Sequence, residues 1–204
     1  MGRYDPNLGR AMAARGLAAG LYATTPVQTG FGWQTAGRLA PGDLVLTRDH
    51  GLMPLESLTP DPRSALWSVR LPAKALGNVA MLMLPPGQPV LIDTPHAMPF
   101  TGEASALVPA TALEGWRGIA PHVPADTAPI LRLTLSIECL ISTGPGLWTP
   151  SDAPPRAFEV KHLLEVPQRC LNLSAARQLI AQLIAEDAGR SLTPYAARRP
   201  ENRA

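Results

Sequence analysis

Proline is the feature that most narrows the folds open to this chain. It occurs 23 times in 204 residues, and each occurrence fixes φ, removes a backbone donor and disfavours a helix interior or the middle of a sheet. A chain so punctuated has little room for long helices and is expected to fold as many short segments joined by turns, which suits an irregular all-β architecture. The 46% hydrophobic and 17% charged content is that of an ordinary globular chain, long enough for one domain with its own core. With a formal net charge of +2 and basic residues scattered except near the C-terminus, no basic face for nucleic acid is expected. No window approaches the roughly 18 to 20 apolar residues of a membrane helix. The opening "MGRYDPNLGRAMAARGLAAG", interrupted by Arg10 and Arg15, does not read as a signal peptide. A cytoplasmic location is therefore expected, with export by a non-classical route left open. Cys139 and Cys170 stand without C-x-x-C spacing, which implies neither a zinc site nor a disulfide framework and predicts two buried, inert thiols.

The stretch "GRLAPGDLVLTRDHG", residues 37–51, reads as a turn at Pro41-Gly42-Asp43, a strand at Leu44-Val45-Leu46-Thr47 and a second, polar turn at Asp49-His50-Gly51. Upstream, Asp5-Pro6 and Gly16 bracket a short helix. From Thr25 to about Asn172 short apolar or alternating runs are bounded by Pro and Gly, and Leu131, Leu133, Leu135 and Ile137 alternate with polar residues at the period of a half-buried strand. "GPGLW", residues 144–148, lacks the lysine and following helix of a phosphate loop and predicts a hairpin turn. Trp33, Trp67, Trp116 and Trp148 fall in or beside different strands and are expected as core anchors. The last element differs: Ser174 is an N-cap candidate, Leu179, Ile180, Leu183 and Ile184 recur at helical spacing, and Gly189 is the expected stop. The division expected is a helical segment over 1–19, a β domain over 20–175, an amphipathic helix over 176–189 packed on it, and a flexible basic tail over 190–204.

The order of the motifs carries a resemblance. "TTPVQTGFGWQTAGRLAPGDLVLTRDHG", residues 24–51, resembles the opening of Hint domains, the fold shared by Hedgehog autoprocessing domains and inteins, and specifically the bacterial Hint-2 type. The marks are Thr29, Gly32 and the run Leu39 to Thr47. "RLPAKALGN" at 70–78, "MLPPGQPVLID" at 83–93 and "ALVPATALEGWRGI" at 106–119 follow like the successive blocks of that family, so the likeness covers roughly 20–175. It implies a compact all-β horseshoe of short twisted strands around a processing centre. In active members a Cys or Ser at the start of the first block attacks its own preceding carbonyl, while a Thr-x-x-His motif in the second block protonates the departing amide. That chemistry requires a nucleophile, a proton donor and an oxyanion donor within hydrogen-bond reach.

Counting back from Thr29-x-x-Gly32 puts the nucleophile position at or near Gly20, and no cysteine precedes Cys139. Thr24 and Thr25 are the nearest hydroxyls, poor nucleophiles without an evident base. In the second block Asp93-Thr94-Pro95-His96 places His96 where the family histidine would fall, with Asp93 in place of the motif's threonine. His50, His122 and His162 read as structural or exposed, and no metal or cofactor is expected. The segment Cys170-Leu171-Asn172-Leu173-Ser174 has no preceding histidine and reads as the entry to the last helix. Two readings follow. One is a degenerate Hint domain acting as a structural or interaction module toward an unknown protein partner, with no nucleic acid, membrane or small-molecule substrate. The other is a weakly self-cleaving domain performing an N-to-O acyl shift at Thr24 or Thr25, with His96 as acid/base and Asp93 beside it.

Overall fold

Short strands between proline and glycine turns do dominate. The computed structural model describes residues 17–62, 65, 67–123, 129–154 and 170–192. In chain order it has β1 (Leu21–Tyr22), β2 (Pro26–Thr29), β3 (Gly32–Thr35), a 3-10 turn (Ala36–Arg38), β4 (Leu44–Thr47), β5 (Gly51–Pro60), β6 (Ser68–Leu71), β7 (Leu82–Leu84) and β8 (Pro89–Asp93). A 3-10 turn (Pro95–Ala97) runs into the short helix α1 (Met98–Thr101), followed by β9 (Ser105–Pro109), a further 3-10 turn (Ala110–Leu113), β10 (Ala120–His122), β11 (Ile130–Leu135), β12 (Leu140–Ser142), β13 (Trp148–Pro150) and the helix α2 (Leu173–Leu192).

Eight strands form one curled sheet in the order β1-β11-β5-β4-β12-β13, with β2 on β4 and β3 on β2; β10-β6-β7 and β8-β9 form two smaller sheets. The curled sheet encloses Val27, Val45, Leu55, Leu135 and Ile141. A larger core joins the two small sheets to α2 through Leu71, Leu84, Val108, Leu113, Leu179 and Ile180. The all-β expectation holds.

The stretch at 37–51 folds as its residues suggest. Asp43 Oδ2 accepts the Ala40 N–H at 2.8 Å, and Gly42 takes φ +96°, a conformation that glycine adopts without strain. Two threonines close the adjoining hairpins by the same device. Thr47 Oγ1 donates to the Gly51 carbonyl at 2.8 Å and accepts the His50 N–H at 3.2 Å. Thr29 Oγ1 donates to the Gly32 carbonyl at 2.8 Å and accepts the Phe31 N–H at 3.2 Å. Residues 144–148 make the expected turn between β12 and β13, closed by the Thr143 N–H to the Leu147 carbonyl at 2.9 Å.

Four expectations are corrected. β11 ends at Leu135, just past a register shift in its ladder with β5 between Thr134 and Leu135, so Ile137 lies beyond the strand. Trp33 is not a core anchor: it stands on the outer face of β3, whereas Trp116 is buried and Trp67 and Trp148 pack against cores. The cap of α2 is Asn172, whose Oδ1 accepts the Ala175 N–H at 2.9 Å; Ser174 already lies in the first turn. Gly189 sits within α2 at an exposed position and does not stop it, the roughly 1 kcal/mol that glycine costs a helix being too little to end it. Residues 17–19 are not helical; the rest of the expected N-terminal helix, His162 and the tail beyond Leu192 lie outside the described residues.

The cap assignment is directly testable. Asn172→Ala should lower unfolding stability by about 1 kcal/mol and Ser174→Ala by under about 0.5 kcal/mol, read from urea midpoints.

Candidate functional site

The start of the β domain is tightly held. Gly20, just ahead of β1, donates its N–H to Gln88 Oε1 at 2.5 Å, and the buried Gln88 amide also reaches the Pro89 carbonyl at 3.3 Å. One step upstream, the Gly87 N–H donates to the Ala18 carbonyl at 2.9 Å. Gly20 has φ +133°, and a Cβ built there would stand 2.6 Å from the Leu131 carbonyl oxygen and 2.7 Å from Ile130 Cγ2. Only hydrogen fits at that position. Gly87 is similarly closed, its Cβ position lying 2.9 Å from the Ala18 oxygen and 3.0 Å from Leu17 Cβ.

Thr24 and Thr25 occupy the bend between β1 and β2. Thr24 is exposed, whereas Thr25 is buried, its N–H donating to the Tyr22 carbonyl and its own carbonyl accepting from the Ala36 N–H, both at 2.8 Å. The second group lies at the far end of β8. Asp93 closes that strand in a two-pronged ion pair with Arg48, at 3.1 and 3.2 Å. Thr94 caps the following 3-10 turn by accepting the His96 N–H at 3.3 Å. His96 Nε2 lies 3.1 Å from Glu186 Oε2 of α2, half exposed. Gln88, which touches Gly20, precedes β8, and the five residues from it to Asp93 span about 16 Å of strand. The fold therefore gathers Asp93, Thr94 and His96 into one cluster facing Arg48 and α2, and holds the Gly20 position at the other end of β8.

Sequence reasoning missed three participants. Gln88 is a polar residue between prolines whose buried amide receives the incoming chain. Glu186 binds His96, and its neighbour Asp187 accepts from Trp116 Nε1 at 2.9 Å and from Arg117 Nε at 2.9 Å and NH2 at 3.3 Å. The Arg117 guanidinium lies 4.5 Å from the centroid of the Trp116 ring. The only available signal was that α2 carries acids beside its apolar stripe, a pattern any solvated helix face shares.

Among the described residues no group of three or more His, Cys, Asp or Glu side chains could hold a metal ion. His50 lies in the exposed β4–β5 turn and His122 is exposed on β10. Cys139 and Cys170 are free and buried. Burial pushes the Cys170 thiol up to about 12 and raises Cys139 as well, although the Ser151 hydroxyl opposes that rise; both are therefore neutral and poor nucleophiles at neutral pH.

With this geometry in place, comparison with known proteins gives the family. The sequence pattern of Hint_2, described as a Hint domain, matches residues 19–144, more than half of the chain, so this chain belongs to the Hint domain family. No curated protein gives a match. Among solved structures, a bacterial intein-like domain from Clostridium thermocellum is 10% identical with a TM-score of 0.48, covering 65% of this chain and 99% of that one. A splice-inactive variant of the AceL NrdHF class 3 split intein is 12% identical with a TM-score of 0.46, covering 66% and 98%. The Msm DnaB1 intein splicing domain, solved bound with zinc, is 20% identical with a TM-score of 0.41, covering 65% and 98%. Among the described residues no helix is long and apolar enough to cross a membrane.

Two outcomes follow from the site. Gly20→Cys should cost more than about 2 kcal/mol of stability, through backbone strain and the clash with Leu131, and should yield no cleaved product by intact mass. The raised Cys170 thiol makes the folded state the tighter proton binder. Its contribution is complete below the ordinary thiol range and is lost as pH rises toward about 12. The urea midpoint should therefore fall with alkaline pH, and fall less steeply in Cys170→Ala.

Proposed function

We propose that this Hint domain no longer processes its own chain and persists as a structural or interaction module. The observation that carries the reading is Gly20: at or near the place where the resemblance puts the family nucleophile, this residue bears no side chain, and the Leu131 carbonyl and Ile130 methyl fill the space where one would project. The amide ahead of β1 is also engaged, its Gly20 N–H donating to Gln88 Oε1. His96 and Asp93, the candidates for the second block's chemistry, are engaged with Glu186 and Arg48. A proton donor without a nucleophile in reach does no acyl chemistry. On this reading those side chains tie elements of the fold together, and Thr24 and Thr25 shape the bend between β1 and β2.

The test is the intact mass of freshly expressed protein beside a His96→Ala variant. Both should hold the mass of the full 204-residue chain for days, also with added thiol or hydroxylamine. A shorter species beginning at Thr24 or Thr25, absent in His96→Ala, would refute the proposal and make this a self-cleaving domain with a threonine nucleophile.

A further inference from the structure

Helix α2 is fastened to the domain in two different ways along its length. Over residues 173–183 the hold is apolar: Ala176, Leu179, Ile180 and Leu183 recur at intervals of three and four and are buried in the larger core. The next two places on that stripe, three and four residues beyond Leu183, are taken by Glu186 and Asp187. From there the hold is polar. Glu186 Oε2 meets His96 Nε2 at 3.1 Å. The Asp187 carboxylate accepts from Trp116 Nε1 and Arg117 Nε, both at 2.9 Å, and from Arg117 Nη2 at 3.3 Å. None of residues 184–189 is buried, and Ile184 stands 39% exposed.

The partners on the domain side are also held from within the domain. Trp116 is buried, the Arg117 guanidinium lies over its ring, and Arg117 Nη1 donates to the Ala75 carbonyl at 3.3 Å. The helix side has less local support. Aspartate and glycine are weak helix formers, and acids gain nothing from the negative end of a helix dipole. The helix nevertheless runs through Asp187 and Gly189 to Leu192.

We infer that α2 docks in two parts, and that its last turns, residues 184–192, form a charge-held latch that opens and closes while residues 173–183 stay in place. The boundary falls after Leu183, where apolar burial ends and the carboxylates take over. Opening uncovers the Trp116 indole N–H and releases the Arg117 guanidinium from Asp187. In both ion pairs the two side chains are about a third or more exposed, so dissolved salt reaches and screens them. Ionic strength is therefore the signal that loosens the latch, whereas the apolar half of the helix is indifferent to it. The inference concerns the helix end alone and is independent of whether the chain processes itself.

The experiment is amide hydrogen exchange, read by mass spectrometry on the full chain, with Asp187→Ala and Glu186→Gln. In the wild type at low salt, peptides covering residues 184–192 should be protected. Raising the salt to about 1 M, where the Debye length falls to about 3 Å, should speed their exchange severalfold. Asp187→Ala should speed it at least about tenfold, although alanine is the better helix former, while peptides from residues 173–183 exchange as in the wild type. Glu186→Gln should act in the same direction and more weakly. The indole N–H of Trp116, followed by NMR, should exchange with water faster in Asp187→Ala. Wild-type residues 184–192 that are already unprotected, a rise shared equally by residues 173–183, or no rise in Asp187→Ala each overturns the inference.

Discussion

The side-chain amide of Gln88 holds the point where the incoming chain meets both cores. It is buried, and its oxygen receives the Gly20 N–H as the chain enters β1. Around it, the turn preceding β8 is bonded on every side: Gly87 to Ala18, the Gln88 carbonyl to the Ala110 N–H at 2.8 Å, and the Pro86 carbonyl to the Thr111 N–H at 3.0 Å. Across the entering chain, the Leu131 carbonyl closes the other wall. The entering chain is thus tied to the turn ahead of β8 by side-chain and backbone hydrogen bonds, and the buried Gln88 amide deprived of its partner would cost more than the bond itself contributes. Gly20 and Gly87 are small because backbone runs against backbone at this seam.

The same logic accounts for the cluster beyond β8. Asp93 reaches the β4–β5 turn through Arg48, His96 reaches α2 through Glu186, and Asp187 holds Trp116 and Arg117 from the next position of the helix. These ion pairs are partly exposed and individually weak. The two that reach α2, through Glu186 and Asp187, add directional contacts to a helix already buried through Ala176, Leu179 and Ile180.

Much of the fold was legible in residues whose conformational demands are local. Pro41-Gly42-Asp43 and the alternation through Leu133 and Leu135 fix a turn and a strand without help from afar. The final helix was legible because no proline interrupts the chain between Pro167 and Pro194. Its cap was misplaced by two residues, since Asn172 and Ser174 are both competent oxygens and only the backbone decides which one reaches N3. Trp33 was misread because hydrophobic character does not tell which of two apolar faces is covered. At the site, the identity of Gly20 was plain in the sequence. The reason a side chain cannot stand there lies in β11, more than a hundred residues away, and no local pattern reports it.

The paired threonines have a consequence for folding fidelity. In most half-buried strands the alternation of apolar and polar side chains specifies register, because a slip of one residue exposes the core face. In β4 that safeguard is weak: Val45 faces inward and Leu44 and Leu46 outward, so a slipped β4 would still bury leucine. The hydroxyls of Thr29 and Thr47, each clamped across its own hairpin end, favour one alignment over its neighbours. In β4 the two hydroxyl groups add to hydrophobic burial in choosing among near-equivalent pairings.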